Sequence, residues 1–257
     1  MSFSDDELER YARHIILREI GGSGQRKLSN ARVLCIGAGG LGSPALMYLA
    51  AAGIGTLGVV DDDQVSLSNL QRQILHATSA VGDQKTESAA ATLTAINPHV
   101  SVAQHPVRLT KENAKETLEP YNLVLDGCDN FATRYLVNET CAGLGIPLIS
   151  GAITQWEGQV SLFDPANGTP CYACIFPEEP ADGLAPSCAE AGVMGALAGI
   201  IGAMMASEAI KEIAGAGQTL KGELLIHDAL WGESRKLRLK RRADCPVCAS
   251  KLRPQSS

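Results

Sequence analysis

Four of the eight cysteines form two pairs with two-residue spacers, a pattern typical of metal binding through sulfur. Cys171 pairs with Cys174, and Cys245 pairs with Cys248 about seventy residues later. Two such pairs supply one tetrahedral four-thiolate zinc site if the chain folds back, and such a closed site is structural. A redox disulfide is the alternative, disfavoured because neither pair is expected to open a helix after a strand.

A glycine-rich segment lies between the first predicted strand and a helical run. Gly37, Gly39 and Gly42 have GxGxxG spacing, with Gly40 between them. Without β-carbons, the backbone N–H groups of such a turn approach a phosphate at a helix N-terminus. Asp61 ends the second predicted strand, where an acidic residue accepts hydrogen bonds from ribose hydroxyls. These residues predict a nucleotide site, and an NAD-dependent enzyme fits them equally well.

Cationic residues in the following segment favour a triphosphate over a redox dinucleotide. Adenylyl transfer requires cations around the β- and γ-phosphates, and Arg72 and Lys85 are the candidates. The alternative is that both are solvated surface residues. The remaining candidate nucleotide contacts in this segment are polar: Ser68, Asn69, Gln71 and Gln73.

A carboxylate follows the fourth predicted strand, at the sheet edge where ligands of open α/β folds collect. Asp129 is the candidate magnesium ligand in the run Asp126–Asn130, and Asn130 is a further nucleotide contact. The alternative role of Asp129 is to cap the next helix.

Among the other cysteines, only Cys188 has a context for reactivity. It immediately precedes a predicted helix over residues 189–214, whose macrodipole favours a thiolate; a half-buried structural thiol is the alternative. Cys35 and Cys141 are predicted core residues, and Cys128 is predicted to be buried rather than reactive. The five histidines have no metal-ligand spacing, and none is assigned a catalytic role.

The elements that position these residues alternate as strand and helix from residue 31 to residue 150. This alternation predicts an α/β fold with a Rossmann-like, doubly wound, mostly parallel sheet. After Gly158 the pattern changes to antiparallel strands flanking the long helix. An amphipathic helical arm over residues 4–28 opens with Ser4 and Glu7, which have the spacing of a capping box.

Composition excludes several classes of protein. The net charge of −6, from 22 basic and 28 acidic residues, does not suggest a nucleic-acid or membrane-surface binder. The acidic N-terminus does not resemble a secretory signal, so we expect a cytosolic protein. The uncharged stretch 191–206 is short for a membrane span and predicts a buried helix, with Gly195, Gly199 and Ala203 allowing close backbone approach.

Together these motifs resemble the MoeB and ThiF family, which is similar to the adenylation half of ubiquitin-activating enzymes. The resemblance covers essentially the whole chain. It rests on the glycine turn, the string Leu67–Gln73, Lys85, the run Asp126–Asn130, both cysteine pairs and Cys188–Val193.

The resemblance implies ATP over the glycine turn, Asp61 on the ribose, and Asn69, Arg72 and Lys85 on the phosphates. Asp129 would hold magnesium. It also implies a homodimer in which Arg13 of one subunit reaches the γ-phosphate bound by the other. We expect the chain to have three regions: an N-terminal arm (1–28), a nucleotide-binding region (29–155), and a carrier-binding and zinc region (156–257) of the same compact domain.

The implied reaction is attack of a carrier protein's C-terminal glycine carboxylate on the α-phosphate of ATP. The carrier would be a small ubiquitin-like protein ending in Gly-Gly, MoaD-like or ThiS-like, in molybdopterin or thiamine biosynthesis. Sulfur would come from a separate donor, and in ThiF-like members Cys188 would bond the carrier covalently. An NAD-binding oxidoreductase, a nucleotide sensor and a zinc-stabilised scaffold that binds carriers without activating them remain alternatives.

Overall fold

The protein is built around one eight-stranded mixed sheet. The computed structural model describes residues 3–179 and 191–249. The strand order is β3-β2-β1-β4-β5-β6-β7-β8, with β1 to β5 parallel and β6 to β8 antiparallel. The strands are β1 (Arg32–Ile36), β2 (Thr56–Val60), β3 (Ser101–His105), β4 (Leu123–Asp126), β5 (Leu148–Thr154), β6 (Glu157–Phe163), β7 (Glu223–Asp228) and β8 (Glu233–Arg238). The predicted fold class is confirmed.

Helices cover both faces of the parallel half. They are α1 (Asp5–Ile15), α2 (Gly21–Asn30), α3 (Gly42–Ala51), α4 (Lys85–Ile96), α5 (Ala114–Leu118), α6 (Phe131–Leu144), α7 (Tyr172–Ile175) and α8 (Gly195–Ala214). Strand β1 serves both faces because its side chains alternate: Val33 and Cys35 pack into one core cluster, and Leu34 and Ile36 into the other. The order of β1 and β4 in the sheet brings their carboxyl ends side by side.

The N-terminal arm is two helices rather than one. The predicted capping box is present, with the Ser4 hydroxyl accepting from the Glu7 N–H. The arm breaks after Ile15, and α2 begins at Gly21, which has a left-handed φ of +59°. The helical arm predicted over residues 4–28 is therefore divided into two helices.

The long helix begins six residues later than predicted. Gly192 has a φ of +74°, Val193 forms a bridge with Gln155, and the Met194 N–H donates to the Gln155 carbonyl. These pairings prevent a helix from running continuously into α8, which starts at Gly195. The prediction of one continuous helix over residues 189–214 was therefore wrong at residues 192–194, which are not helical.

The buried character of α8 is confirmed, and close backbone approach occurs at Gly195, as predicted, and at Gly202 rather than at Gly199. A β-carbon at Gly202 would lie 2.4 Å from the Leu41 carbonyl oxygen, and one at Gly195 would lie 2.4 Å from Gln71 Oε1. A β-carbon at Gly199 would meet nothing within 4 Å. Gly202 therefore lets α8 pack against the start of α3, below the glycine turn. Within residues 3–179 and 191–249, no helix combines the length and apolarity that a membrane crossing requires.

Candidate functional site

The glycine turn has the tight geometry that its sequence predicts. Gly37 adopts a φ of +90°, and its N–H donates to the Val60 carbonyl over 2.8 Å. A β-carbon at Gly42 would lie 1.9 Å from the Gly37 carbonyl oxygen, so only glycine fits there. Helix α3 starts at Gly42, so its N-terminus directly follows the turn, and the Ser43 N–H donates to the Gly39 carbonyl of the turn. The turn and the helix terminus together form a cradle suited to phosphate.

Asp61 lies at the end of β2 and faces this turn. Its carboxylate accepts hydrogen bonds from the Ala38 N–H at 2.8 Å and the Asp63 N–H at 3.0 Å. Burial raises the pKa of Asp61, while the nearby Lys85 ammonium lowers it to a smaller extent. The carboxylate is therefore placed at the mouth of the site, with oxygen lone pairs left for a ribose.

Lys85 is the first residue of α4 and is buried, with only 4% of its surface exposed. Its Nζ lies 2.7 Å from Asp63 Oδ2 and 3.7 Å from Asp61 Oδ1. The alternative that Lys85 is a solvated surface cation was therefore wrong. A buried ammonium beside the turn that is suited to phosphate is a cation placed for an anionic ligand.

The segment containing Arg72 lies against the glycine turn. A β-carbon at Gly40 would lie 3.5 Å from Arg72 Cγ, and one at Gly39 would lie 3.6 Å from Gln73 Nε2. The half-buried Arg72 guanidinium donates to the Ser68 carbonyl at 3.3 Å and to Asn69 Oδ1 at 3.5 Å. Gln73 is buried, and its Oε1 has no hydrogen-bond partner within the described residues.

The other two residues of this segment lie at its surface. Ser68 is exposed, and Gln71 contacts Gly195 at the start of α8. The structure thus brings the predicted phosphate contacts together around a single turn.

The loop after β4 completes the edge of the site. The Gly127 carbonyl oxygen would lie 3.3 Å from a β-carbon at Gly37, which places this loop beside the turn. Asp129 is exposed. The Asn130 side chain accepts from the Thr133 N–H and caps α6, so the alternative that Asp129 caps this helix was wrong.

Two residues beneath the site were not predicted from the sequence. Buried Arg134 donates to Ser150 Oγ, Cys128 O and Gly151 O, and lies 3.6 Å from the fully buried Asp126 carboxylate. His76 is also buried, with its ring bonded to the Ala38 carbonyl and to Ser88. Neither residue belongs to a motif with a distinctive spacing. The only signal in the sequence is that Arg134 lies near Asp129 and that His76 lies near Arg72.

The four paired cysteines converge as predicted. Cys171 Sγ lies 3.6 Å from Cys245 Sγ, and Cys174 Sγ lies 3.4 Å from Cys248 Sγ. A zinc ion bonded tetrahedrally to sulfur at about 2.3 Å requires sulfur separations of about 3.8 Å, so the four ligands fit zinc. Tyr172 N–H and Cys171 Sγ both bond to Asn138, which ties the cluster to α6.

The first cysteine pair lies at the start of a short helix. Cys171 is the N-cap of α7, so one pair does open a helix. That helix has four residues and is separated from β6 by a 3₁₀ turn at Pro165–Asn167. It lacks the direct strand-to-helix context of a redox pair, and the convergence of all four sulfurs favours metal.

Of the remaining cysteines, Cys35 and Cys141 follow their predictions as core residues, and Cys128 is less buried than predicted. Cys35 and Cys141 are buried, and burial raises the pKa of each thiol. Cys128 is half-buried, with a pKa well above its ordinary value because of burial and the neighbouring Asp126 carboxylate. Cys188 lies outside the described residues.

Arg13 lies far from the glycine turn of its own subunit. On the same helix, the ring of Tyr11 lies under Gly53, and its hydroxyl accepts from the Asn97 amide. Gly53 follows the last turn of α3, whereas the glycine turn precedes the first, about 15 Å away along ten residues. Arg13 is exposed at this opposite end of the sheet.

Comparison with known proteins identifies relatives that cover nearly all of this chain. A "Sulfur carrier protein adenylyltransferase" of Thermus thermophilus is 51% identical over 252 residues, covering 96% of this chain and 93% of the relative. A "SAMP-activating enzyme E1" of Haloferax volcanii is 47% identical, covering 96% and 91%. An "Adenylyltransferase and sulfurtransferase MOCS3" of Aedes aegypti is 46% identical over 96% of this chain, which spans only 56% of that relative.

Solved structures share the architecture. E. coli MccB with AMPCPP and MccA superposes with a TM-score of 0.82 at 25% identity, covering 93% of this chain and 74% of that one. PaaA superposes with a TM-score of 0.80 at 24% identity, covering 92% and 75%. The ThiF family model matches residues 11–247. With this match and relatives about half identical along nearly their whole length, the chain belongs to the ThiF family.

Proposed function

We propose that this protein is an adenylyltransferase that uses ATP to activate the C-terminal carboxylate of a ubiquitin-like sulfur-carrier protein. One observation carries the proposal: Asp61, Lys85 and Arg72 converge on the glycine turn, in a chain whose near-full-length relatives include a sulfur carrier protein adenylyltransferase. Two cations beside one phosphate cradle suit a triphosphate better than the single pyrophosphate of NAD.

In the reaction, a carboxylate oxygen of the carrier's last residue attacks the α-phosphorus of ATP. The bond from the α-phosphorus to the bridging oxygen breaks, and pyrophosphate leaves with the electron pair. The product is an acyl-adenylate. A carboxylate is already a competent nucleophile, so no general base is required, and rate comes from alignment and charge neutralisation.

The backbone of the turn, Asp61, Lys85 and Arg72 each have a role in this scheme. Backbone N–H groups of the turn beyond Ala38 hold the phosphates, and Asp61 accepts from the ribose hydroxyls. Lys85 and Arg72 neutralise the charge that develops on the departing pyrophosphate. To bind the pyrophosphate, Lys85 breaks its ion pair with Asp63. Asp63 is accessible to water, which lowers the free-energy cost of breaking that pair.

Asp129 is the residue that would hold magnesium. Its exposed carboxylate lies on the loop that contacts the glycine turn, and magnesium prefers a few carboxylate oxygens together with phosphate and water. When bound, the ion would neutralise phosphate charge and orient the triphosphate. Asn130 would contribute by fixing the start of α6 beside Asp129.

We infer that the active form is a homodimer. Arg13 lies at the opposite end of α3 from the glycine turn of its own subunit, so only a neighbouring subunit's turn is open to it. A guanidinium supplied by the partner subunit would neutralise the γ-phosphate, as the resemblance implies.

Carrier-dependent exchange of labelled pyrophosphate into ATP tests the proposal. Exchange should require a carrier with a free C-terminal glycine, and Asp129→Ala should reduce it at least about a hundredfold, since a magnesium ligand is lost. Asp129 is exposed, so the variant should keep its melting temperature. Glu116→Ala, an exposed carboxylate on α5, is the matched control. Exchange that needs no carrier, or full activity in Asp129→Ala, would contradict the proposal.

A further inference from the structure

His76 is a buried histidine that the reaction scheme leaves without a role. Only 7% of its surface is exposed, and both of its ring nitrogens form hydrogen bonds within the protein. Nε2 lies 2.9 Å from the Ala38 carbonyl oxygen, and Nδ1 lies 2.9 Å from Ser88 Oγ. A carbonyl oxygen only accepts hydrogen bonds, so Nε2 carries the proton, and in the neutral ring Nδ1 accepts from the Ser88 hydroxyl.

The partner of His76 is the centre of the glycine turn. The Ala38 N–H donates to Asp61, and the Ala38 carbonyl accepts from His76, so both of its backbone polar groups are held by side chains. A rotation of this residue would break one bond or the other. The turn therefore keeps a fixed set of N–H directions before any nucleotide arrives.

His76 also connects the three elements that supply phosphate contacts. Its own backbone follows Arg72 by four residues and bonds to Gln73. Its ring reaches the glycine turn on one side and Ser88 on the other. Ser88 lies on α4 three residues after Lys85, on the neighbouring turn of that helix. One imidazole thus sets the relative position of the Arg72 segment, the turn and the lysine helix.

We propose that His76 is a positioning residue for nucleotide binding, acting through its Nε2–H bond to the Ala38 carbonyl. The proposal rests on the adenylyltransferase function given above, because it assumes that the turn binds ATP. Burial lowers the pKa of His76, which favours the neutral ring that this arrangement uses. His76 does not contact the reacting atoms.

Two substitutions separate this role from simple packing. In His76→Gln, the side-chain amide N–H can take the place of Nε2–H and donate to Ala38. In His76→Asn, the shorter amide takes the place of Nδ1 and leaves the Ala38 carbonyl unpaired. Both remove the imidazole ring, so a packing role predicts similar losses for both.

The experiment measures the ATP KM and the carrier KM in pyrophosphate exchange, with melting temperatures alongside. His76→Asn should raise the ATP KM about five- to tenfold, the effect of one lost hydrogen bond and an orphaned carbonyl, and leave the carrier KM unchanged. His76→Gln should stay within about twofold of the wild type. His227→Asn is the matched control, since His227 also bonds a serine, Ser234, but lies in β7, four strands from β1.

Calorimetric titration with a non-hydrolysable ATP analogue gives the same comparison without turnover. If the wild type shows no exchange, the proposed function fails while this titration still tests His76. Equal loss of nucleotide affinity in His76→Gln and His76→Asn, or an unchanged affinity in both, would overturn the proposal.

Discussion

The buried position of the Asp61 carboxylate at the glycine turn makes the stability of the ligand-free protein depend on pH. Its oxygens accept from two backbone N–H groups and lie near Lys85, yet burial still raises its pKa. The folded state therefore binds a proton at Asp61 more tightly than the unfolded state does. Stability from this group is present at low pH and is lost as the pH rises through the raised pKa.

Asp61→Asn should remove this pH dependence. The difference in melting temperature between the variant and the wild type should grow in favour of the variant as the pH rises from below the ordinary carboxyl pKa through the raised one. Nucleotide affinity should fall, because an amide accepts fewer hydrogen bonds from ribose hydroxyls. Melting curves across that pH range check the sign; a difference that shrinks with rising pH would mean that Lys85 outweighs burial.

Residue types in this site were largely predictable, and their partners were not. The glycines, Asp61, Arg72 and Lys85 carry signals that follow from phosphate chemistry. His76 and Arg134 carry none, because each acts by bonding backbone carbonyls that only the folded chain brings near. Buried side chains that donate hydrogen bonds to backbone carbonyls occur at no characteristic spacing in a sequence.

Among the elements, the start of α3 is the part most constrained by sterics. A β-carbon at Gly42 would overlap the Gly37 carbonyl oxygen, so Gly42→Ala must open the turn or shift the helix. We expect loss of nucleotide binding by at least about tenfold and destabilisation of about 1–3 kcal/mol from overpacking. Titration with nucleotide and urea unfolding measure the two effects.

Gly143→Ala is the matched control for this substitution. Gly143 lies within α6, and a β-carbon there would meet nothing within 4 Å. The helix propensity of alanine should stabilise this variant by about 0.5–1 kcal/mol with unchanged nucleotide affinity. A Gly42→Ala protein that binds nucleotide like Gly143→Ala would show that the turn does not need its present geometry.

Element boundaries were predictable where local chemistry determines them. The Ser4 capping box and the strands near Gly37 and Asp61 follow from capping and periodicity. The break after Ile15 and the late start of α8 do not. The start of α8 depends on the pairing of Val193 with Gln155. These two residues are far apart in sequence, so a local sequence pattern does not predict their pairing.

On the scale of the whole molecule, the four-cysteine cluster joins segments that are far apart in sequence. It connects the turn at Cys171 and Cys174 to the C-terminal segment, where the Arg241 guanidinium also bonds the Cys248 carbonyl. Strand β8 before it is exposed along its length, so the segment has little apolar surface to anchor it. Zinc should supply much of that anchoring.

Chelation of zinc should lower the melting temperature by about 5–10 °C, and Cys248→Ser should do the same. Metal analysis should give about one zinc per chain. Exchange activity well below the melting transition should persist, because the cluster is not part of the nucleotide site. Abolition of exchange at temperatures where the zinc-free protein is still folded would contradict a structural role.

The proposed dimer predicts complementation between inactive variants. If Arg13 serves the partner's site and Asp129 its own, a heterodimer of Arg13→Ala and Asp129→Ala subunits has one intact site and one with both lesions. After subunit exchange of an equal mixture, about a quarter of wild-type exchange activity should return. A mixture as inactive as its components would place both residues in the same subunit's site.

The most direct test is a crystal structure with a non-hydrolysable ATP analogue and magnesium. The α-phosphate should lie over Gly37–Gly42, the ribose hydroxyls on Asp61, and the Arg72 and Lys85 nitrogens within hydrogen-bond distance of phosphoryl oxygens. A structure in which Lys85 stays with Asp63 and the triphosphate lies beyond reach of both cations would contradict adenylyl transfer at this turn.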